Sequence, residues 1–105
     1  MPRIAFQLRI KPGKEEEYDQ AHREVWPVLL RKLKQVGISN YSIFRRNQDL
    51  TLVMEVDDFE AAWKELDQDP TNKKWQEYTS PLFDIVPDLA PGERFAMMRE
   101  VFYLD

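Results

Sequence analysis

The sequence contains no cysteine and one histidine, His22. The first absence excludes disulfides, thiolate nucleophiles, iron–sulfur clusters and cysteine-ligated zinc, so nothing in the chain asks for an oxidising compartment. With one imidazole, a histidine-built metal centre is disfavoured too, and no metal or organic cofactor is expected. Glycine is scarce, with three residues, and no Gly-rich phosphate loop, serine elbow or paired metal-ligand motif occurs. No stretch approaches the roughly 20 apolar residues of a membrane span. The opening Met1-Pro2-Arg3-Ile4-Ala5-Phe6-Gln7 lacks a signal-peptide core, so a cytoplasmic protein is expected. Basic charge is also in deficit: fifteen Lys and Arg against nineteen Asp and Glu give a net −4. That is the wrong sign for binding nucleic acid or an anionic membrane.

What is present is an ordinary globular balance, 43 % hydrophobic and 32 % charged over 105 residues, which predicts one domain spanning 1–105. Ile4, Phe6, Leu8 and Ile10 alternate with Ala5, Gln7 and Arg9, the period of a half-buried strand. Lys11-Pro12-Gly13 breaks it. From Lys14 the spacing turns helical, with Tyr18, Val25, Leu29, Leu33 and Val36 on one face, acidic residues in the first turn and basic ones in the last. Gly37 ends the run. One long helix over 14–36 is expected, bent about Trp26, because Pro27 lacks an amide donor and disfavours helical geometry at the preceding residue.

Strands over 39–45 and 50–56 follow, joined by Arg46-Asn47-Gln48-Asp49 as a hairpin loop. Asp57 and Asp58 are good caps for a short helix whose Phe59, Ala62, Trp63 and Leu66 recur at helical spacing, which places Trp63 in the core. A second helical piece begins near Pro70 and carries Trp75, Tyr78 and Thr79. Residues 81–92 read as an ordered loop and 96–104 as a closing strand. The order β-α-β-β-α(α)-β predicts an α+β fold, a ferredoxin-like sandwich with an antiparallel sheet and helices on one face. The open face and an aromatic content of 12 % point to a homodimer.

His22 lies four residues after Tyr18 and four before Trp26, so on a continuous helix the three form one inward stripe. A polar ring there needs a partner. It is either a core histidine satisfied by one hydrogen bond or a general acid/base, since unperturbed imidazole titrates near about 6.5. Tyr41, Tyr78 and Trp75 offer ring faces that stack on sugar C–H groups, and their polar handles can bond sugar oxygens. Glu100 reads more simply as solvated.

These residues, taken together, resemble the L-rhamnose mutarotase family, small dimeric ferredoxin-like proteins that interconvert the α and β anomers of the sugar. The similarity runs nearly end to end, through Glu17-Tyr18, His22-Arg23-Glu24-Val25-Trp26-Pro27, Asn40-Tyr41-Ser42-Ile43, Trp75 with Tyr78, and Glu100-Val101-Phe102-Tyr103-Leu104. The resemblance implies His22 as proton donor, Tyr18, Tyr41 and Trp75 as sugar contacts, and a monosaccharide substrate. Gln76 stands where the family commonly carries a second tryptophan, and Val86-Pro87-Asp88-Leu89-Ala90-Pro91 replaces its usual Asn-Pro-Asp-Asn-Ser-Pro. A related deoxy or pentose sugar is therefore an alternative substrate. Two other readings are a non-enzymatic ligand-binding or regulatory dimer, and a cofactor-free oxygenase or haem-binding relative with His22 as axial ligand.

Overall fold

In the structure, a computed structural model that describes residues 2–105, the alternating first segment forms β1 (Arg3–Ile10). The paired β-rich runs form β2 (Ser39–Arg46) and β3 (Asp49–Glu55). β1 pairs antiparallel with β3, and β3 with β2. The register sets Ile4 against Met54, Phe6 against Leu52 and Leu8 against Leu50, with Ile43 also opposite Leu52. One face of the sheet is thus continuously apolar. Against it pack Tyr18, Ala62 and Leu66, with Ile38, Val56 and Leu82 completing the buried core. Phe44, 63 % exposed, and Ser42 lie on the opposite face, which no helix covers.

The hairpin turns on two residues, Asn47 and Gln48, a tighter loop than expected. Asn47 adopts φ 53°, a left-handed conformation that asparagine tolerates. Gln48 secures the turn by donating from Nε2 to Ile10 O at 3.0 Å. In β2 the register shifts between Ser39 and Ser42, and Asn40 there has φ 48°. Its Nδ2 donates to Glu55 Oε2 at 2.7 Å. This bulge leaves Tyr41 on the same side as Ile43, toward the helices.

Two expectations need correction. The long helix is two: α1 (Glu15–Arg23) and α2 (Pro27–Gln35), separated by residues 24–26. Trp26 is extended, at φ −60° and ψ 129°, because the ring of Pro27 excludes helical geometry there. Pro27 then serves as the first residue of a new helix. A break has replaced the bend. The closing strand is also short. β4 (Phe83–Asp84) pairs with Arg9 and Ile10, and β5 (Ala96–Met98) pairs with Ala5 to Gln7 on the same edge of β1. With Met98 opposite Ala5, the chain has passed the start of β1 by Val101. Among the described residues, 101–104 then have no strand to pair with. Val101, Phe102 and Leu104 are 88 %, 78 % and 80 % exposed.

Asp58 caps α3 (Phe59–Gln68) by accepting from Ala61 N, and Asp69 caps α4 (Pro70–Thr79) by accepting from Asn72 N. These caps fix where both helices enter the sheet face. Among the described residues no helix is long and apolar enough to cross a membrane.

Candidate active site

One helical turn separates Tyr18 and His22 on α1, so their rings stack, with centroids 4.2 Å apart and planes at 29°. His22 Nδ1 lies 3.0 Å from Tyr18 O. A carbonyl oxygen only accepts, so Nδ1 carries the hydrogen and Nε2 is the nitrogen left to gain or lose a proton. Trp75 of α4 meets His22 edge-on at 5.5 Å and Trp26 at 5.1 Å. The imidazole is thereby fixed in its plane by rings from two helices and by the backbone.

α1 is tied to β2 beside this ring. Arg45 donates from Nε to Asp19 Oδ1 at 2.7 Å and from Nη2 to Oδ2 at 2.6 Å. Those hydrogen bonds hold the Asp19 carboxyl below the usual carboxylate range. The clamp sets Tyr18 and His22 across from Tyr41. Burial raises both phenols above their ordinary value, and for Tyr18 the neighbouring Tyr41 adds to the effect. Both are therefore neutral hydroxyls at physiological pH, able to donate and accept but not to act as standing bases.

His22, Tyr41, Ile43, Trp63, Trp75 and Gln76 all border two adjoining lobes of one cavity. The lobe under α2, about 350 Å³, is walled by Val25, Leu29, Leu30 and Leu33. The other, about 200 Å³, reaches Tyr18, Phe83, Asp84, Arg94 and Phe95. Volumes of this order suit a small polar molecule held between rings. Four polar side chains on the wall are already engaged. Asn72 donates to Leu66 O and Thr79 to Trp75 O, each at 3.0 Å. Asp84 Oδ1 accepts from Ile85 N at 2.8 Å, and Arg94 is held by both oxygens of Asp67 at 2.7 and 2.8 Å. Left without a hydrogen-bond partner in the protein among the described residues are His22 Nε2, the Tyr18 and Tyr41 hydroxyls, the Gln76 amide and the indole N–H groups of Trp63 and Trp75.

The cavity thus brings one imidazole together with aromatic rings and hydroxyls. A family model described as L-rhamnose mutarotase matches residues 3–104. The chain belongs to the L-rhamnose mutarotase family. L-rhamnose mutarotases from Opitutus terrae and Oceanobacillus iheyensis are 36 % and 32 % identical to it, with all of both chains covered in each case. The crystal structure of an L-rhamnose mutarotase from Formosa agariphila is similar at a TM-score of 0.80 and 27 % identity, covering both chains fully. Tetracenomycin F2 cyclase from Streptomyces glaucescens shares the fold at a TM-score of 0.65 and 21 % identity, over 99 % of this chain and 96 % of that one.

In this mutarotase family member the four residues singled out from the sequence converge. His22, Tyr41 and Trp75 touch both lobes, and Tyr18 touches the smaller. Tyr78 does not join them: it is 56 % exposed and stacks on Trp26 at 6.1 Å, outside the cavity. Trp63 packs against the core as expected but also forms wall. Phe95, Arg94 and Asn72 had no signal in the sequence, because loop and cap positions carry no periodicity. Glu100 stays at the surface, paired with Arg3 at 3.3 Å.

Proposed function

We propose that this protein interconverts the α and β anomers of L-rhamnose or a closely related deoxy sugar, with His22 Nε2 as the acid/base. The observation carrying this reading is the polar inventory of the cavity. One imidazole nitrogen with a fixed tautomer faces neutral hydroxyls and aromatic faces; of the other titratable side chains on the wall, Tyr18 and Tyr41 are held neutral by burial, Arg94 is ion-paired, and Asp84 is exposed with Oδ1 accepting from Ile85 N.

Ring opening needs two proton transfers, one from the anomeric hydroxyl and one to the ring oxygen. Both oxygens are bonded to C1. A single imidazole therefore serves them in turn: Nε2 takes the hydroxyl proton as the C1 carbonyl forms and the bond to the ring oxygen breaks. It then returns that proton to the released oxygen. Rotation about C1–C2 and closure by the reverse steps yield the other anomer. The chemistry requires no metal, redox cofactor or covalent nucleophile. Tyr18 and Tyr41 would bond hydroxyls common to both anomers, and Trp75 would present a ring to the sugar's C–H face. A positioned acid/base contributes about 10²- to 10⁴-fold in rate. Anomeric exchange of L-rhamnose followed by NMR saturation transfer tests the reading: exchange no faster with protein than without it overturns it.

The same reading includes a cytoplasmic homodimer. The exposed apolar tail 101–104, which has no strand to pair with among the described residues, supports a second copy as its partner.

A further inference from the structure

We infer that Arg94 is a positioning residue of the site: its ion pair with Asp67 seats Phe95 as the closing wall of the smaller lobe. The inference deepens the mutarotase reading and rests on it for the identity of the ligand. Residues 85–95 leave the sheet after β4 and return to it in β5, on the same edge of β1. The hydrogen bonds of residues 86–93 join that strap to itself: Leu89 N donates to Val86 O at 3.2 Å, Glu93 N to Ala90 O at 3.0 Å, and Ala90 N to Glu93 Oε1 at 3.0 Å. Its last two residues anchor it. Phe59, Trp63 and Asp67 lie one helical turn apart along α3 and form a single stripe. Phe95 meets the Phe59 and Trp63 rings at 6.0 and 5.5 Å, and Phe6 of β1 at 4.7 Å. Arg94 donates from Nη1 to Asp67 Oδ2 at 2.7 Å and from Nη2 to Oδ1 at 2.8 Å. Its guanidinium carbon also lies 4.9 Å from the centroid of the Phe95 ring.

The side chains of this pair are 59 % and 43 % exposed, so it contributes little to global stability. What a planar guanidinium on both oxygens of a carboxylate does supply is direction. One grip sets the last residues of the strap against α3 and holds the neighbouring ring in the wall that also carries Tyr18, His22 and Tyr41. Without it, a strap bonded to itself is free to carry Phe95 outward, and the smaller lobe opens to water. The guanidinium is already spent on Asp67, so its effect on the sugar runs through the ring. A wall that meets both anomers alike acts equally in ground and transition states, and its loss raises KM while sparing kcat.

The test compares the full-length protein with Arg94→Ala, Arg94→Lys, the charge-exchanged double variant Asp67→Arg with Arg94→Asp, and Phe95→Leu alone and combined with Arg94→Ala. Anomeric exchange of L-rhamnose is measured by saturation transfer, and binding independently by quenching of tryptophan fluorescence. Mobility of the strap is read without sugar, from deuterium exchange of amides 85–95 by mass spectrometry. Arg94→Ala is expected to raise KM about 2- to 5-fold, with kcat within about two-fold, and to speed deuterium exchange in the strap. Arg94→Lys, which keeps the charge but not the fork, should fall between, and the charge-exchanged variant should recover toward the parent. L-rhamnose is uncharged, so added salt should raise KM of the parent and leave that of Arg94→Ala unchanged. On a Phe95→Leu background, Arg94→Ala should add nothing to KM. Equal KM in parent and Arg94→Ala overturns the inference, as does unaltered deuterium exchange. A further rise on the Phe95→Leu background also overturns it, by placing Arg94 on the sugar directly. If Arg94→Ala loosens the strap and weakens L-rhamnose binding while the parent exchanges no anomers, this inference stands and the mutarotase reading falls.

Discussion

Each side chain of the site is held by a contact whose removal has a distinct signature. His22 is anchored by one hydrogen bond to Tyr18 O and by ring contacts with Tyr18 and Trp75. His22→Ala is expected to cut exchange by about 10²- to 10⁴-fold, as read by saturation transfer. The same variant gives up one neutral hydrogen bond, about 1 kcal/mol, or about 4–8 °C in melting temperature for a domain of this size. An unfolded variant would return His22 to a structural role. Tyr41→Phe removes a hydroxyl that has no protein partner. It should leave the melting temperature unchanged while lowering kcat/KM about 2- to 10-fold. A drop in stability with intact kinetics would contradict the placement of that hydroxyl on the cavity. Burial raises the pKa of both Tyr18 and Tyr41 in the folded state. Their contribution to stability is therefore complete below the unfolded value of about 10 and declines as pH rises beyond it. The double Tyr18→Phe, Tyr41→Phe variant should unfold less steeply above that pH in equilibrium denaturation.

Between elements, the decisive features are a break and a clamp. Pro27 divides what the hydropathy pattern presents as one helix, and the extended Trp26 between the halves meets Trp75 edge-on. Helical periodicity counts apolar positions, and it continues across a break when both halves face the same sheet. A single tertiary-amide restraint at residue 27 was legible as a bend, but the degree to which the chain departs from helix depends on what α4 offers Trp26. The Asp19–Arg45 clamp has the opposite character: two charged residues far apart in sequence, each unremarkable alone, align α1 with β2. The arginine hydrogen bonds lower the pKa of Asp19, and those from Arg94 lower that of Asp67. A depressed carboxyl stabilises the fold fully above its unfolded value of about 3.9 and loses that contribution as pH falls through the folded value. Asp19→Asn should flatten the acid limb of a stability–pH profile below about pH 4 and slow exchange at neutral pH by loosening Tyr18 and His22 against Tyr41. An unaltered acid limb would show that the clamp does not act in solution.

At the scale of the whole molecule, the sheet leaves one face uncovered and a tail of large apolar residues exposed. In the proposed dimer these surfaces are shielded by a second copy. Deleting residues 101–105 should convert the dimer to a monomer in size-exclusion chromatography with light scattering, and a dimer of unchanged stability would place the interface elsewhere. The sequence by itself determined the first three strands, the helical stretches between and after them, the antiparallel hairpin, the aspartate cap of α3 and the family, because alternation, helical spacing and capping chemistry are local properties of the chain. It also marked Tyr18, His22, Tyr41 and Trp75, three of them through aromatic or imidazole chemistry on apolar faces and all four through resemblance. The tertiary structure alone decided that the last strand stops at Met98, since a strand extends only as far as the edge that receives it. It also decided which polar groups face the cavity unspent. Asn72, Thr79 and Gln76 are all polar residues of one helix, and only packing consumes the first two on backbone carbonyls while the third stays exposed beside the cavity.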